Sequence, residues 1–379
     1  MNVPKLRFKE FNDEWKKIQL DSFVDINPKN DSLPEQFIYI DLESVNNGIL
    51  TTRKIINKSE APSRAQRTIK ENDILYQTVR PYQMNNLFVK NFDSDYPYIA
   101  STGYALLRTK ENPYFVYSIL YQKSFVNKVL DMCTGTSYPA ISANDLGTIT
   151  VGLPSLKEQE KISKTLELLD KKIELQSKKI EALKLFKKGL LSIFLDKNIE
   201  RSVKLANIAI FKNGKGHENI VNDNGSYVLV NSKFISTDGK VSKYCNNQLS
   251  PLYKNDIVMV MSDLPKGKVL AKCFIIDKNN LYSLNQRICS LTIDKNCDPY
   301  YIFYKINRNP YYLKFDDGVN QTNLKKEDVL NLIIDVPNLN NQKKYSKYLI
   351  QMDKKIYIEN KKVLKLQELK KGLMQSMFV

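Results

Sequence analysis

Two stretches of the chain repeat one pattern of apolar and polar positions, and the pattern predicts a long helix in each. Residues 154–195 and 337–378 align without a gap at an offset of 183 residues, and 18 of the 42 aligned pairs are identical. In both copies the apolar positions recur at alternating steps of four and three residues, which is typical of a coiled-coil seam. Agreement over this length indicates an internal duplication.

The shared seam favours helices that pack on each other over helices that pack separately on their own domains. Polar residues interrupt the seam at two matching places, Gln176 with Glu359 and Lys187 with Lys370. A helix of roughly 40 residues is about 60 Å long, which suits a spacer. The predicted helix-pairing residues are Ile162, Leu166, Leu169, Ile173, Ile180, Leu183, Leu349, Met352, Ile356, Val363, Leu366 and Leu373.

Each predicted helix begins with a proline that is followed by a good capping residue. Pro154 and Ser155 open the first copy, and Glu158 lies three positions after the serine, which is the spacing of a capping box. Pro337 and Asn338 open the second copy, and asparagine is also a preferred N-cap residue.

The segments that precede the two helices resemble each other more faintly, and their pattern predicts mixed α and β structure. The run NDIL at 72–75 aligns with NDIV at 255–258 at the same offset. Helical stretches are predicted at Tyr114–Leu130 and Tyr300–Lys314. Short β-rich runs bounded by Asn, Asp, Gly and Pro predict strands, at Gln36–Leu42, Ile74–Val79, Tyr98–Leu107, Tyr227–Val230, Asp256–Met261 and Arg287–Ile293.

These patterns predict an α+β chain in which two related globular domains alternate with two long helices that pair antiparallel about a pseudo-two-fold axis. A chain of 379 residues is long enough for two or more domains. The predicted boundaries are 1–153 for the first domain, 154–197 for the central helix, 198–336 for the second domain and 337–379 for the C-terminal helix. The globular domains have diverged more than the helices, which suits one scaffold holding two different heads.

Composition and charge narrow the classes of partner. The formal net charge is +17, with 58 Lys and Arg against 41 Asp and Glu, so nucleic acid is the first candidate partner. One histidine and five cysteines without CxxC spacing give no metal site, and the cysteine pattern fits a reducing cytoplasm. No stretch reaches the ~18 consecutive apolar residues of a membrane span, and the N-terminus does not match a signal peptide.

Several motifs together resemble the specificity subunit of type I restriction-modification systems. The opening PKLRFKEFNDEW (Pro4–Trp15), the helix start LPSLKEQEKI, the ending KKGLMQSMF and the runs NDILY and NDIVM are similar to that family, and the resemblance covers nearly the whole chain. One departure is visible, because the second domain has no lead-in like PKLRF.

The resemblance implies that each globular domain is a target-recognition domain that reads one half of a split site in double-stranded DNA. The paired helices would set the gap between the halves and dock two methyltransferase subunits, and restriction motor-nuclease subunits are further possible partners. S-adenosylmethionine, and for restriction ATP and Mg²⁺, would bind to those partners in the bacterial cytoplasm. The chain itself would carry no catalytic centre, no cofactor and no metal.

Two alternatives remain open at this point. A stand-alone DNA adenine methyltransferase would use an Asn/Asp-Pro-Pro-Tyr/Phe loop around a flipped base. The segments NPYF at 112–115, DPYY at 298–301 and NPYY at 309–312 come close but lack the second proline, and each also matches a capped helix that starts at proline. A coiled-coil scaffold without DNA binding would leave the basic, diverged heads unexplained.

Loops rich in Arg, Lys, Asn and Gln supply the candidate DNA contacts, because these side chains read base edges and hold phosphates. In the first domain the candidates are Arg64, Gln66, Arg67, Arg80, Tyr82, Gln83, Ser137 and Tyr138. In the second domain they are Lys215, His217, Lys266, Lys268, Asn285, Gln286, Arg287, Asn320 and Gln321. Taken singly, each of these residues has a simpler interpretation as a solvated loop side chain. For His217 the simpler interpretation is a polar surface residue.

Overall fold

A computed structural model describes residues 3–29, 31–92, 94–135, 137–196 and 199–379. The chain divides into two compact units, one formed by Met1–Ser177 and Lys361–Val379 and the other by Lys178–Asn360. Each unit therefore contains one globular domain and a part of each long helix. The predicted boundary between residues 197 and 198 lies outside the described residues.

The globular part of the first unit is built from short strands in several small sheets. The strands are β1 (Lys16–Gln19), β2 (Val24–Ile26), β3 (Gln36–Ile40), β4 (Val45–Asn46), β5 (Ile49–Leu50), β6 (Lys54–Asn57), β7 (Ala65–Thr68), β8 (Ile74–Gln77), β9 (Leu87–Phe88), β10 (Tyr98–Ser101), β11 (Tyr104–Thr109) and β12 (Thr150–Leu153). One sheet has the order β6-β3-β10-β7, a second has the order β2-β11-β8-β9, and β1 pairs with β12.

The second unit repeats this plan. Its strands are β13 (Arg201–Lys204), β14 (Ala209–Asn213), β15 (Tyr227–Val230), β16 (Lys243–Cys245), β17 (Ile257–Val260), β18 (Ser262–Asp263), β19 (Cys273–Ile275), β20 (Tyr282–Leu284), β21 (Ile288–Ile293), β22 (Thr322–Asn323) and β23 (Ile333–Val336). The main sheets have the orders β16-β15-β20 and β14-β21-β17-β19, and β13 pairs with β23. β15 runs parallel to β20 as β3 runs parallel to β10.

Short helices follow the strands in each unit, and two long helices end the two halves of the chain. The helices are α1 (Pro113–Ile119), α2 (Lys123–Asp131), α3 (Ala143–Thr148), α4 (Leu156–Asp196), α5 (Ser232–Ser236), α6 (Pro299–Ile306), α7 (Pro310–Leu313), α8 (Lys326–Leu330) and α9 (Leu339–Ser376). The long helices α4 and α9, here called the helix pair, contain 41 and 38 residues. The mixture of helices and strands and the repeated plan confirm the predicted α+β fold.

The single strand predicted at Tyr98–Leu107 is wrong, because the structure has two strands there in different sheets. β10 pairs with β3 and β7, whereas β11 pairs with β2 and β8. Thr102 and Gly103 turn the chain between them, and the Ser101 hydroxyl accepts a hydrogen bond from the Gly103 amide at 3.2 Å. A Cβ atom at Gly103 would lie 3.2 Å from the Leu42 side chain, so a larger residue would crowd this turn.

The single helix predicted at Tyr114–Leu130 is also split, into α1 and α2. Gln122 has extended backbone angles and lies at the N-cap of the second helix, and its side-chain amide donates to the Ser118 carbonyl at 3.2 Å. The stretch predicted at Tyr300–Lys314 is split into α6 and α7. Asn307 has extended and Arg308 left-handed backbone angles, and Pro310 then begins the second helix.

Each unit has an apolar core between its two main sheets and a second core that joins the domain to the helix pair. In the first unit Trp15 and Phe115 of the domain pack with Ile162 of α4 and with Phe378, two residues after α9. The Phe115 and Phe378 rings are stacked with centroids 5.2 Å apart. In the second unit the core formed with the domain includes Tyr345 of α9. Burial of these rings holds each domain against the helices.

The helix pair runs antiparallel in each unit, as the contacts between the two helices show. In the first unit Asp170 pairs with Lys370 at 2.5 Å. In the second unit Lys187 pairs with Asp353 at 2.5 Å and Lys179 with Glu359 at 2.9 Å. In the second unit the residue number therefore falls along α9 as it rises along α4. In the first unit it does so too, because Ile162, which precedes Asp170 on α4, lies in the same core as Met377, which follows Lys370.

The polar interruptions of the seam therefore lie at the contact between the helices. Lys187 and Lys370 each bind an aspartate of the other helix, and Glu359 is only 5% exposed. All twelve predicted helix-pairing residues are buried or half-buried. Among the described residues, no helix is both long and apolar enough to cross a membrane.

Candidate nucleic-acid interface

In the first unit, loops that are far apart in the sequence meet at one edge of the sheets. The Thr102 amide donates to the Arg64 carbonyl at 2.9 Å, and the Thr78 amide donates to the Gly103 carbonyl at 3.1 Å. The Arg80 amide donates to the Pro139 carbonyl at 2.7 Å. We name this surface the first loop edge, and it consists of residues 62–67, 78–84, 101–103, 134–135 and 137–140.

The first loop edge brings together all eight candidate residues of the first domain. Arg80 lies over the Tyr138 ring, with the guanidinium carbon 4.5 Å from the ring centroid. Tyr138 and Tyr82 are 63% and 50% exposed, which is high for rings of this size. Arg80 and Met84 adopt left-handed backbone angles, with φ of 54° and 51°, a conformation that non-glycine residues seldom adopt. Such strain is often found at functional sites.

The loop before β7 and the strand itself present two arginines at this edge. Arg64 is exposed, and Gln66 is held by a hydrogen bond from its amide to the Ser63 carbonyl at 2.7 Å. Arg67 is half-buried, and burial lowers the pKa of its guanidinium group from the usual value. Its Nε atom is buried and has no hydrogen-bond partner among the residues that the structure describes. A buried donor without a partner is costly unless a ligand accepts from it.

Gln83 and Ser137 are also exposed at the first loop edge, but Gln83 is tied to the domain. The Gln83 side-chain oxygen accepts a hydrogen bond at 2.8 Å from the amide of Gln77, which is 1% exposed. The Asn85 amide in turn donates to the side-chain oxygen of Gln77 at 3.1 Å. Gln77 thus fixes the shape of the loop that carries Arg80 and Tyr82.

In the second unit, four loops meet in the same way. The Lys215 amide donates to the Leu284 carbonyl at 3.1 Å, and the Met261 amide donates to the Arg287 carbonyl at 3.0 Å. The Gln321 side chain donates to the Ser262 hydroxyl at 2.7 Å. We name this surface the second loop edge, and it consists of residues 213–218, 261–268, 285–287 and 316–323.

The two loop edges occupy equivalent places in the repeated domain. Ala140 forms a bridge with Val79, and Asn323 pairs with Ser262 at the offset of 183 residues. The Ile141 amide donates to the Thr78 carbonyl at 3.1 Å, and the equivalent Leu324 amide donates to the Met261 carbonyl at 2.8 Å. The backbone frame is therefore shared, although the side chains that it presents differ.

Most candidates of the second domain are exposed at the second loop edge. Lys266 and Arg287 have left-handed backbone angles, with φ of 55° and 66°. Asn285 is half-buried, and its side-chain oxygen has no hydrogen-bond partner within the described part of the chain. The exposed candidates are Lys215, Lys266, Lys268, Gln286, Arg287, Asn320 and Gln321.

Acidic residues hold two of these loops in shape. Asp263 accepts hydrogen bonds from the amides of Val269 and Leu270 at 2.7 and 2.9 Å, which folds the loop that carries Lys266 and Lys268. Asp317 accepts from the Asn320 amide at 2.8 Å, and hydrogen bonds from the Asn320 and Val319 amides lower the pKa of its carboxyl group. A third acidic residue, Glu218, accepts a hydrogen bond from the Gln286 side chain and so links two further loops of this edge.

The prediction that His217 is a surface residue is wrong. The ring is 1% exposed, Nδ1 lies 2.7 Å from the Lys215 carbonyl oxygen, and Nε2 lies 2.7 Å from the Ser283 hydroxyl. Both ring nitrogens are therefore engaged inside the domain, and His217 supports the loop of Lys215 rather than facing solvent. A single polar residue in a glycine-rich loop gave no signal of this burial.

Sequence reasoning missed Thr102, which belongs to the first loop edge. The strand predicted across Tyr98–Leu107 placed it inside a sheet, whereas it lies on the turn before β11 and binds the Arg64 carbonyl. The Thr-Gly dipeptide was the available signal, since glycine within a strand pattern often marks a bend.

The three segments that come close to a methyltransferase loop are helix starts. The Asn112 side chain accepts from the Phe115 amide at 3.0 Å and caps α1. Asp298 accepts from the Tyr301 amide at 2.8 Å, and Asn309 accepts from the Tyr311 amide at 2.9 Å. These side chains are used as N-caps, so the geometry supports helix capping and not base methylation.

Comparison with known proteins identifies a family that matches both halves of the chain. The family model described as the type I restriction modification DNA specificity domain matches residues 12–185 and 199–368. The type I restriction enzyme HindI specificity subunit of Haemophilus influenzae is 28% identical over 139 residues, which are 35% of this chain and 30% of that protein. The match thus spans less than a third of that relative. The MjaVIII specificity subunit of Methanocaldococcus jannaschii is 23% identical over 69% of this chain and 68% of its own length.

Solved structures share the fold. The S subunit of a type I restriction-modification system from M. genitalium superposes with a TM-score of 0.63 at 16% identity, covering 100% of this chain and 99% of that one. A chain from a structure concerned with complex assembly and conformational transition of the type I R-M system gives a TM-score of 0.58 at 20% identity, covering 95% and 96% of the two chains.

Proposed function

Because the chain belongs to the type I restriction modification DNA specificity domain family and is a specificity subunit, the non-catalytic component of such a system, we propose that each of its loop edges reads one half of a bipartite DNA site. The observation that carries this proposal is the pair of equivalent loop edges. One backbone frame appears twice, and it presents Arg80 with Tyr138 in one domain and Lys215, Lys266 and Arg287 in the other.

The chemistry of both edges suits a nucleic acid. Arginine and glutamine side chains form paired hydrogen bonds with base edges, and lysines hold phosphates. The ring of Tyr138 under Arg80 orders a guanidinium group before DNA binds. The net charge of +17 supplies the sequence-independent attraction to the duplex. A coiled-coil scaffold without DNA binding would not need these exposed basic and aromatic loops.

Membership of this family supports the partners that we propose. We propose that the helix pair docks two methyltransferase subunits, which bind S-adenosylmethionine and modify adenine in both half-sites. Restriction subunits that use ATP and Mg²⁺ would complete a cleaving complex. In this proposal the chain binds none of these cofactors, and the assembly works in the bacterial cytoplasm.

The experiment that tests two-part reading exchanges one domain. Residues 201–336 are replaced by the corresponding domain of another specificity subunit, the complex is assembled with its methyltransferase subunits, and methylated adenines are mapped. We expect one half-site to change and the other half-site to stay the same, because each loop edge is built within its own domain. A change in both half-sites would contradict the proposal.

A control addresses the enzymatic alternative. The purified chain without methyltransferase subunits is incubated with labelled S-adenosylmethionine and DNA that contains the mapped site. We expect no transfer of methyl groups. Methylation by the isolated chain would favour the stand-alone methyltransferase instead.

A further inference from the structure

Each globular domain is joined to the helix pair at a first polar point, near the start of a long helix. The Asn112 amide donates to the side-chain oxygen of Gln159 at 3.2 Å, and the Asp298 amide donates to that of Gln342 at 2.9 Å. Gln159 and Gln342 are 0% and 1% exposed and lie at the offset of 183 residues. Their amides donate to the carbonyls of Pro154 and Pro337 at 3.0 and 2.8 Å, which fixes both side chains.

A second polar point lies farther along each long helix. In the first unit the Tyr114 hydroxyl of α1 donates to Asp170 of α4, and Lys370 of α9 lies 2.5 and 2.7 Å from the two oxygens of the same carboxylate. A single aspartate thus connects the globular domain with both long helices.

The second unit contains the same arrangement with the roles of the long helices exchanged. The Tyr304 hydroxyl of α6 donates to Asp353 of α9 at 2.6 Å, and Lys187 of α4 lies 2.5 Å from that carboxylate. The Lys187 ammonium group also lies 5.1 Å from the centroid of the Tyr304 ring. Asp353 is the repeat equivalent of Asp170, and Lys370 is that of Lys187.

The tyrosines reach equivalent aspartates from different places. Tyr114 lies two residues after the cap Asn112, whereas Tyr304 lies six residues after the cap Asp298, one helical turn farther on. Tyr300 aligns with Tyr114 but has no part in this bond. The tyrosine–aspartate bond is therefore present in both domains, although the tyrosine comes from a different position of the helix. Duplication alone does not explain this, because a duplicated bond would come from equivalent positions.

Two attachment points fix the angle between a globular domain and the helix pair, which a single point would leave free. Gln159 and Asp170 are eleven residues apart on α4, and Gln342 and Asp353 are eleven apart on α9, which corresponds to about 16 Å along each helix. Hydrogen bonds to a carboxylate are about twice as strong as neutral ones. Burial, together with the neighbouring aspartate, raises the pKa of both tyrosines, so both hydroxyls keep their protons at neutral pH.

We propose that the Tyr114–Asp170 and Tyr304–Asp353 bonds hold each recognition domain at a fixed angle on the helix pair and thereby restrict the complex to one gap length between the half-sites. The inference rests on the proposed function. The four side chains are positioning residues that lie away from the loop edges, so they affect where a domain reads the DNA and not which bases it reads.

The test uses Tyr114→Phe and Tyr304→Phe, singly and together, in the complex with methyltransferase subunits. Phenylalanine keeps the ring, including the edge contact of Tyr114 with Phe88 at 5.7 Å, and removes only the donor. Methylation rates are measured on duplexes that carry the mapped half-sites with the natural gap, one base pair fewer and one base pair more. We expect the preference for the natural gap to fall about tenfold, the scale of one lost hydrogen bond to a charged group.

Matched controls make the same chemical change within the domains. The Tyr117 hydroxyl lies 2.9 Å from that of Tyr121, and the Tyr312 hydroxyl donates to the Val329 carbonyl at 3.0 Å, so both groups are bonded inside their domains. Tyr117→Phe and Tyr312→Phe should keep the wild-type gap preference. Thermal unfolding and size-exclusion chromatography show that the variants fold and assemble.

The outcomes separate the inference from the proposed function. Wild-type gap preference in the double variant, or equal slowing on all three duplexes, overturns the inference while two-part reading stands. A wild-type complex without any gap preference overturns two-part reading itself. Gln159→Met with Gln342→Met removes the other attachment point, and unchanged gap preference there would contradict the two-point joint even if the tyrosine variants failed to assemble.

Discussion

Arg7 donates two hydrogen bonds to Glu158, at 2.7 and 2.8 Å, and so joins the N-terminal segment to the first turn of α4. Glu158 is 1% exposed, and its bond raises the pKa of the Arg7 guanidinium group. The sequence predicted a capping box of Ser155 and Glu158, and the structure shows that both oxygens of the Glu158 carboxylate accept hydrogen bonds from Arg7. The equivalent residue in the second copy is Asn341, so this ion pair belongs to the first unit alone.

Removal of Arg7 should destabilise the first unit. Arg7→Met leaves the Glu158 carboxylate buried without its partner, and we expect the free energy of unfolding to fall by about 2–3 kcal/mol. Urea unfolding followed by circular dichroism measures this change. Asn341→Ala is the matched control, and it should stay within about 0.5 kcal/mol of the wild type. Equal stabilities of Arg7→Met and the wild type would contradict a structural role for the pair.

Replacement of Arg64, Gln66 and Arg67 by alanine should weaken DNA binding by the complex. Loss of these contacts should lower affinity about tenfold or more, and each lost phosphate contact should reduce the salt slope by about one. Affinity is measured by fluorescence anisotropy at several salt concentrations. The control is Lys110→Ala with Lys123→Ala, two exposed lysines outside the first loop edge. If the triple variant kept the affinity and salt slope of the control, these residues would lie away from the DNA.

Lengthening both long helices should widen the gap in the DNA site. Four residues inserted after Gln176 and four after Glu359 add about 6 Å to each helix, and DNA rises about 3.4 Å per base pair. We expect the gap to grow by about one base pair, two at most, with unchanged half-sites. Methylation mapping decides the outcome. Because Asp170–Lys370 and Lys179–Glu359 lie on either side of the insertions, both pairs can form again.

An insertion after Gln176 alone is the comparison for this experiment. It shifts one helix against the other, so either Asp170–Lys370 or Lys179–Glu359 must break. We expect lower stability of the complex than with the paired insertion. If the paired variant is active and still methylates sites with the natural gap, the helices dock partners but do not set the gap length.

The cysteine thiols should differ in reactivity according to burial. Burial raises the pKa of Cys289 to about 12, and Cys273 beside it is also buried with a raised pKa. Cys133 is half-buried, so iodoacetamide at pH 8 should modify Cys133 first and Cys289 only after unfolding. Mass spectrometry of peptides measures the order, and the urea-unfolded protein is the control. Early modification of Cys289 would show that its domain opens readily.

The same pKa shift predicts how stability changes with pH. The raised pKa of Cys289 means that the unfolded thiol ionises at lower pH than the folded one. The contribution of the protonated Cys289 thiol to the free energy of unfolding is complete below pH 9 and is lost as the pH rises from about 9 to about 12. Urea midpoints measured between pH 8 and pH 10.5 should therefore decrease, and the decrease should be smaller in Cys289→Ala.

The sequence by itself determined the features that depend on neighbouring residues. The heptad seam was readable because a helix repeats its faces every few residues, so burial of Ile162 or Leu349 follows from spacing alone. Asn338 was readable as a cap, and its side chain accepts from the Asn341 amide at 3.0 Å. Helix starts at Pro113 and Pro299 followed from their Asn and Asp caps in the same way.

Only the tertiary structure decided which distant residues meet. Asp170 and Lys370 are 200 residues apart in sequence, and no local pattern identified the aspartate that neutralises a lysine in the seam. The burial of His217 against Ser283, 66 residues away, was hidden for the same reason. Periodicity and capping arise from contacts within a few residues, whereas the loop edges and the joints depend on how sheets and helices fold back on one another. The contacts at the loop edges and the joints form only when each repeated domain packs around its core.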